Sequence, residues 1–291
     1  MSDAPSLPPT LGGQAVVEGV MIRGPLGMAV AVRKPDGGIA THTERIEAST
    51  STRRVPIVRG VMALGETLSQ GVRALIWSAQ VAAGREPEEP SESRVRMTSA
   101  MSLGFLSAFF LIAPSLATRR LERRRRSSRF SALTEGVARI GMLVGYLRTV
   151  GRVPQAQRLF GYHGAEHRAI QAYEAGEPLE VASLDHFPNA HIRCGTSFLL
   201  TTTIVSSVLY AAVNPATPGK RLLSRVLLTP VVAGLSYEVI RVGSVSNNPI
   251  WRLLFRPNLA LQSLTTRDPD EGQMEVALAA VRAALALHET A

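Results

Sequence analysis

Apolar positions in this chain recur at two periods. They alternate from Met28 to Lys34 and again from Ile39 to Ile46, and Pro35-Asp36-Gly37-Gly38 between them is a turn signal, so this stretch predicts a β-hairpin. From Val55 onward the spacing becomes helical. Val58, Val61, Met62, Leu64, Leu68, Val72, Leu75, Ile76 and Ala79 form a broad stripe over 55–83, as expected of a helix lying on a membrane surface or on neighbouring helices. Thr98–Thr118 carries no charge over 21 residues, long enough to span a bilayer, with Pro114 set to kink it. Phe130–Val150 is apolar at most positions but holds Glu135, Arg139 and Arg148, the first two spaced for an i,i+4 ion pair. Within a bilayer such charges must face other helices or a cavity. Thr196–Val213 is again uncharged, and Leu222–Ile240 is a second apolar segment broken by Arg225, Pro230 and Gly234. The turn Asn214–Lys220 joins the two into a helical hairpin that ends at Glu238 and Arg241. Asp268-Pro269-Asp270 then caps a last helix over 271–288, with His288 exposed at its end.

These elements predict a mainly α fold: a helical integral membrane protein with a small N-terminal β element. Six regions follow, namely a disordered tail (1–10), an N-terminal region with the hairpin and amphipathic helix (11–96), an apolar helical hairpin (97–150), a histidine-bearing segment with a polar connection (151–195), a second apolar hairpin (196–242) and a C-terminal region with an amphipathic helix (243–291). Composition agrees: 45% hydrophobic residues and a mean hydropathy of +0.10 are high for a soluble chain of 291 residues. The net charge of +9 comes from 30 Arg and 2 Lys, and seven arginines lie between Arg119 and Arg129. Beside an apolar helix such a run points to membrane lipid as the partner. Aromatics at 5% supply few stacking platforms, so specific nucleic-acid binding is not expected. Orientation is open. The arginine run favours a cytoplasmic first loop and hence an external histidine motif, whereas an N-terminal region without a secretory signal favours the reverse. The single cysteine excludes an intramolecular disulfide.

Candidate chemistry centres on Gly161–Glu174. His163 and His167 are four apart, so a helix places both rings on one face about one turn apart, where they can hold one metal. Glu166 falls at the edge of that face and could polarise a metal-bound water. The pattern His-x-x-Glu-His inverts the zinc-protease helix signature, although short patterns of this kind also arise as ordinary polar helix faces. A second supply of ligand types follows in His191-Ile192-Arg193-Cys194, where Cys194 is either a ligand or a small buried residue at a helix entrance. Near the N-terminus Gly12–Pro25 is glycine-punctuated but lacks phosphate-loop spacing; its Glu18 and Arg23 either pair or serve a site.

Two metal readings and one other remain. In the first the protein is a membrane-embedded metal-dependent hydrolase, with His163 and His167 on zinc or another divalent ion, Glu166 as general base and His191 as the preferred third ligand. Glu174 lies seven residues beyond His167, about 10.5 Å along the helix axis, so it acts with Arg193 as a more distant polar partner; Glu18 and Glu238 are reserve ligands. In the second, His163, His167, His191 and Cys194 close a tetrahedron and the metal is structural, in a membrane scaffold or assembly factor. The third reading, transport, is weakened by the small number of apolar segments. A homo-oligomer or a membrane partner protein fits any of these readings.

Several segments together resemble one family. Gly12-Gly13-Gln14-Ala15-Val16-Val17-Glu18-Gly19-Val20-Met21, Tyr162-His163-Gly164-Ala165-Glu166-His167, Arg193-Cys194-Gly195-Thr196-Ser197-Phe198, Ser236-Tyr237-Glu238 and Leu261-Gln262-Ser263-Leu264-Thr265-Thr266 occur in this order in the YqhQ-like bacterial membrane proteins. The likeness runs from about residue 11 to residue 287. It implies a bacterial inner-membrane protein with a domain of unknown function that carries the label of a predicted metal-dependent enzyme.

Overall fold

The sheet begins earlier than the alternating pattern suggests. In a computed structural model, which describes residues 9–46, 55–109, 113, 128–213, 217–246 and 248–289, four strands pair in sequence order and antiparallel throughout: β1 (Gly12–Val16), β2 (Gly19–Arg23), β3 (Gly27–Arg33) and β4 (Ile39–Arg45). The expected hairpin is β3–β4, with Arg33 opposite Ile39. The glycine-punctuated stretch before it is a second hairpin, β1–β2. Its second strand escapes the period-two test because both of its faces are covered. Val20, Ile22, Ala29 and Ala31 pack into one apolar cluster, while Val16, Met21, Met28, Val30 and Val32 pack into another on the opposite face. A strand buried on both sides reads as a continuous apolar run.

The other regular elements of the described chain are helices: α1 (Val58–Ala82), α2 (Glu92–Ser107), α3 (Ser128–Val150), α4 (Pro154–Ala175), α5 (Val181–Leu184), α6 (Gly195–Ala212), α7 (Pro218–Val245), α8 (Pro249–Gln262) and α9 (Glu271–Glu289). Helices α4 and α9 cover one face of the sheet through Tyr162, Ala165, Ala169, Ala277, Leu278 and Val281. The second half of α1 covers the other face with Ala74, Trp77 and Val81. Its first turns leave the sheet and cross α7 where both helices are glycine; a Cβ on Gly234 would stand 2.6 Å from the Ile57 carbonyl oxygen. Helix α1 therefore ties the sheet to a second body in which α3, α6 and α8 share the cluster Leu143, Leu147, Leu200 and Leu261, and α7 packs on α6.

Helix α8 occupies a region whose pattern reads as mixed. Its start is encoded conventionally: the Asn248 side chain accepts from Ile250 N at 2.9 Å and Pro249 takes the first helical position. Pro257 inside it interrupts the signal. Among the described residues, two helical stretches are long and apolar enough to cross a membrane, Gly195–Ala212 and Leu222–Val245. Pro114, the arginine run through residue 127 and the Asn214–Ala216 part of the turn lie outside the described residues. The i,i+4 pair forms: Arg139 Nη2 donates to Glu135 Oε1 at 2.5 Å, and Arg225 grips the same carboxylate from α7. His42 stacks on Trp77 with ring centres 5.5 Å apart. His288 is not free at its helix end but half-buried against Gly24.

Candidate metal centre

Helix α4 presents the motif to the interior. Pro154 at its first turn and Gly176 in the left-handed region at its end (φ 71°) delimit 22 residues. Its middle runs beneath β1, so closely that a Cβ on Gly13 would sit 2.3 Å from Glu166 Oε1. Only glycine leaves room there for the carboxylate.

Both motif histidines are oriented by main-chain carbonyls. His163 Nδ1 lies 2.8 Å from Thr265 O, and His167 Nδ1 lies 2.6 Å from Asn189 O. A carbonyl only accepts, so each Nδ1 carries the proton and each neutral ring keeps a bare Nε2. Cys194 Sγ is 3.2 Å from His163 Nε2, and ligand atoms of His163, His167 and Cys194 all lie within 4.8 Å of one another. Zinc bonds of about 2.0–2.3 Å set tetrahedral ligand atoms about 3.5 Å apart, so small side-chain adjustments suffice. Cys194 also caps α6, accepting from Thr196 N at 3.4 Å, a donor that a thiolate ligand would retain.

The supports are built from residues with few sequence clues. The Gln262 amide clamps the loop that carries His191 and Cys194: its Oε1 accepts from His191 N, and its Nε2 donates to His191 O and Ser197 Oγ, all at 2.8 Å. Asn189 is fixed in turn, accepting from Arg168 Nε at 2.7 Å and donating to Asp268 Oδ1 at 2.8 Å. Gln262 and Thr265 stand in a segment, Leu261–Thr266, whose family likeness was the only signal available for them. Backbone carbonyls carry no residue signature at all.

Glu166 is 3% exposed and its Oε2 lies 3.5 Å from His167 Nε2. Burial pushes its carboxyl above the ordinary range, opposed by the nearby His163, His191 and Arg193, and burial likewise holds His167 below its ordinary value. Both shifts run toward the uncharged forms, away from a charged pair. His191 stands one layer back. Its ring centre is 5.7 Å from that of His167, its Nε2 is 3.5 Å from Glu174 Oε2, and burial depresses its pKa too. Glu174 also pairs with Arg193. The reserve acids are engaged elsewhere: Glu18 pairs with Arg158 at 2.5 Å and accepts from Tyr162, and Glu238 pairs with Arg59. Arg23 bonds Glu66 at 2.7 Å, not Glu18.

Leu11, Gly12, Gly13, His163, Glu166, His167, Ile170, His191, Arg193, Cys194 and Gly195 enclose a cell of about 20 Å³. His163, Arg193 and Cys194 are shared with the wall of a far larger cleft, of about 1010 Å³, that runs between β1, α1, α6 and α7.

A family model described as a protein of unknown function, DUF1385, matches residues 55–287. The chain belongs to this family. The matched DUF1385 region holds Glu166 and the convergent His163, His167 and Cys194, while Gly13 comes from the preceding sheet. The chain is also similar to the uncharacterized protein YqhQ of Bacillus subtilis (strain 168), 34% identical over 301 residues that cover 94% of this DUF1385 chain and 91% of the relative. No solved structure matches.

Proposed function

We propose that this protein is a membrane-embedded, metal-dependent hydrolase of the bacterial inner membrane, with His163, His167 and Cys194 as metal ligands and Glu166 as general base. The observation that carries the reading is the convergence of three ligand atoms, two of them on imidazoles whose other nitrogen is committed to a carbonyl. An N₂S donor set suits zinc. Bound there, the ion would lower the pKa of water and polarise the scissile group. Around it the protein's own groups have defined tasks. Glu166 takes the proton from water and returns it to the leaving group, the Thr265 and Asn189 carbonyls keep both rings in the ligating tautomer, and Gly13 with Leu11 shields the base from bulk water.

A structural metal is the second reading, favoured by His191, which is near enough to His167 to act as a fourth ligand and close the site. Against it stand the contact of His191 with Glu174 and the continuity of the cell with the cleft, which suits an open coordination position.

The membrane assignment is supported by exposure. Only 39% of the α6 window and 22% of the α7 window are buried, whereas a core helix of a soluble protein is mostly covered. Val208, Leu223, Leu227, Leu254 and Phe105 are more than half exposed. Metal analysis of detergent-purified protein tests the centre. Glu166→Gln should keep stoichiometric metal and lower turnover by about 10²–10⁴-fold; retained turnover would favour the structural reading. Extraction of membranes with alkaline carbonate tests the location, and release of intact protein would reject it.

A further inference from the structure

The cleft beside the metal cell has a chemistry of its own. Arg23, Arg59, Arg193 and Arg241 are among its lining residues, and among the described residues no aspartate or glutamate lines it. Three of these guanidiniums are braced by acids outside the lining: Arg23 by Glu66, Arg59 by a two-pronged contact with Glu238 at 2.6 and 2.5 Å, and Arg193 by Glu174. Arg241 is 53% exposed and reaches Glu238 only at 3.7 Å. Each guanidinium has five N–H donors in a planar fork, so one braced by a carboxylate still has donors for a second anion. Four arginines against three acids leave the cleft cationic.

Much of the remaining wall is apolar and includes Leu64, Leu159, Phe160, Phe198, Leu199 and Ile240. Phe198 and Leu199 belong to the first turns of α6, and Ile240 and Arg241 to the last turns of α7. Near the other end of the same pair Tyr210 Oη donates to Arg225 O at 3.4 Å, so the two arms run antiparallel and the cleft lies at one end of the hairpin. For a hairpin that spans a bilayer, this end is at the lipid interface. The volume of about 1010 Å³ is at the upper end of ligand sites and far exceeds the needs of an inorganic anion.

We infer that this cleft binds an amphiphile with a phosphate-ester headgroup. The arginines hold the phosphate, the apolar wall receives the start of the tail, and the headgroup bonds come to lie beside His163 and Cys194. That the ligand is also the substrate rests on the hydrolase reading; that it binds does not.

The test uses the full chain in a maltoside detergent, which contains no phosphate, both after chelator treatment and after zinc loading. Binding is measured for dihexanoyl phosphatidic acid, glycerol 3-phosphate and dihexanoylglycerol. Phosphatidic acid should bind saturably, with glycerol 3-phosphate at least about 10-fold weaker and the neutral diacylglycerol not detectable. Arg241→Gln, whose residue makes only one long contact, should weaken phosphatidic acid binding by about 10-fold, and Arg23→Gln should do the same. Equal binding of glycerol 3-phosphate would reassign the cleft to a soluble phosphate ester and overturn the amphiphile. Equal binding of the diacylglycerol, or indifference to both arginine substitutions, would overturn the headgroup assignment. Arginine-dependent binding in a protein that takes up no zinc would sink the metal reading and leave this one standing.

Discussion

The α3–α6–α7 bundle and the α4 motif both bury polar side chains, and they dispose of them in opposite ways. In the bundle, Glu135 is held by Arg139 and Arg225, and both guanidiniums lie over the Tyr210 ring at 4.9 and 5.6 Å. Opposite charges meet there, two guanidiniums on one carboxylate. In the motif, groups of one kind converge: two imidazole nitrogens and a sulfur bring lone pairs to one point, with a carboxylate beside them. Nothing within the described cluster supplies a positive charge between them. Burial of polar residues therefore does not by itself mark a functional centre; the sign of what they leave facing inward does.

Substitutions on each side should separate these roles. The largest effect is expected from His167→Ala, which removes one of three convergent ligands and should abolish both stoichiometric metal and turnover, read by metal analysis and any hydrolytic assay. Glu135→Gln should do the converse, leaving metal content unchanged while lowering stability by about 3–5 kcal/mol, since two buried guanidiniums lose their anion. Equal metal loss in both variants would show that the two regions form one cooperative unit. Gly13→Ala lies between them. The added methyl must displace Glu166, so stability should fall by about 1–3 kcal/mol and turnover should drop while the metal stays bound.

The smallest effect concerns pH in the metal-free protein. Burial depresses His167 and His191 below the usual 6.5, so the unfolded chain takes up their protons first and stability is lost as pH falls below that value. Glu166 is shifted the other way. Its unfolded carboxyl ionises from about 4.5 while the folded one holds its proton, so stability is lost as pH rises above 4.5. Resistance to thermal unfolding in detergent should thus be greatest between these values, and added zinc should remove the decline on the alkaline side.

Much of this arrangement was legible before the structure. Four-residue spacing put His163 and His167 on one face, the apolar run after Cys194 announced α6, and the cap at Asp270 announced α9. The first hairpin was hidden because β2 is covered on both faces, which erases alternation. Helix α8 was hidden by Pro257. The choice between His191 and Cys194 could not be read either: both precede the same helix by a few residues, and only the Gln262 clamp and the contact with Glu174 set which one meets the histidine pair. The arginine-lined cleft draws on β1, α1, α6 and α7, segments far apart in the chain, and no local pattern encodes such a meeting.

The Thr265 carbonyl that fixes His163 has a consequence for biogenesis. A nascent chain that has emerged only as far as Gln262 already contains both histidines, the cysteine and the glutamate, yet it lacks the group that sets the tautomer of the first imidazole. The clamp on the cysteine loop, Gln262, likewise follows every residue that it orders. The convergence of the two histidines and the cysteine is therefore completed only once the chain past α8 has been made, so the centre is set by residues that follow its motif and not by the motif alone.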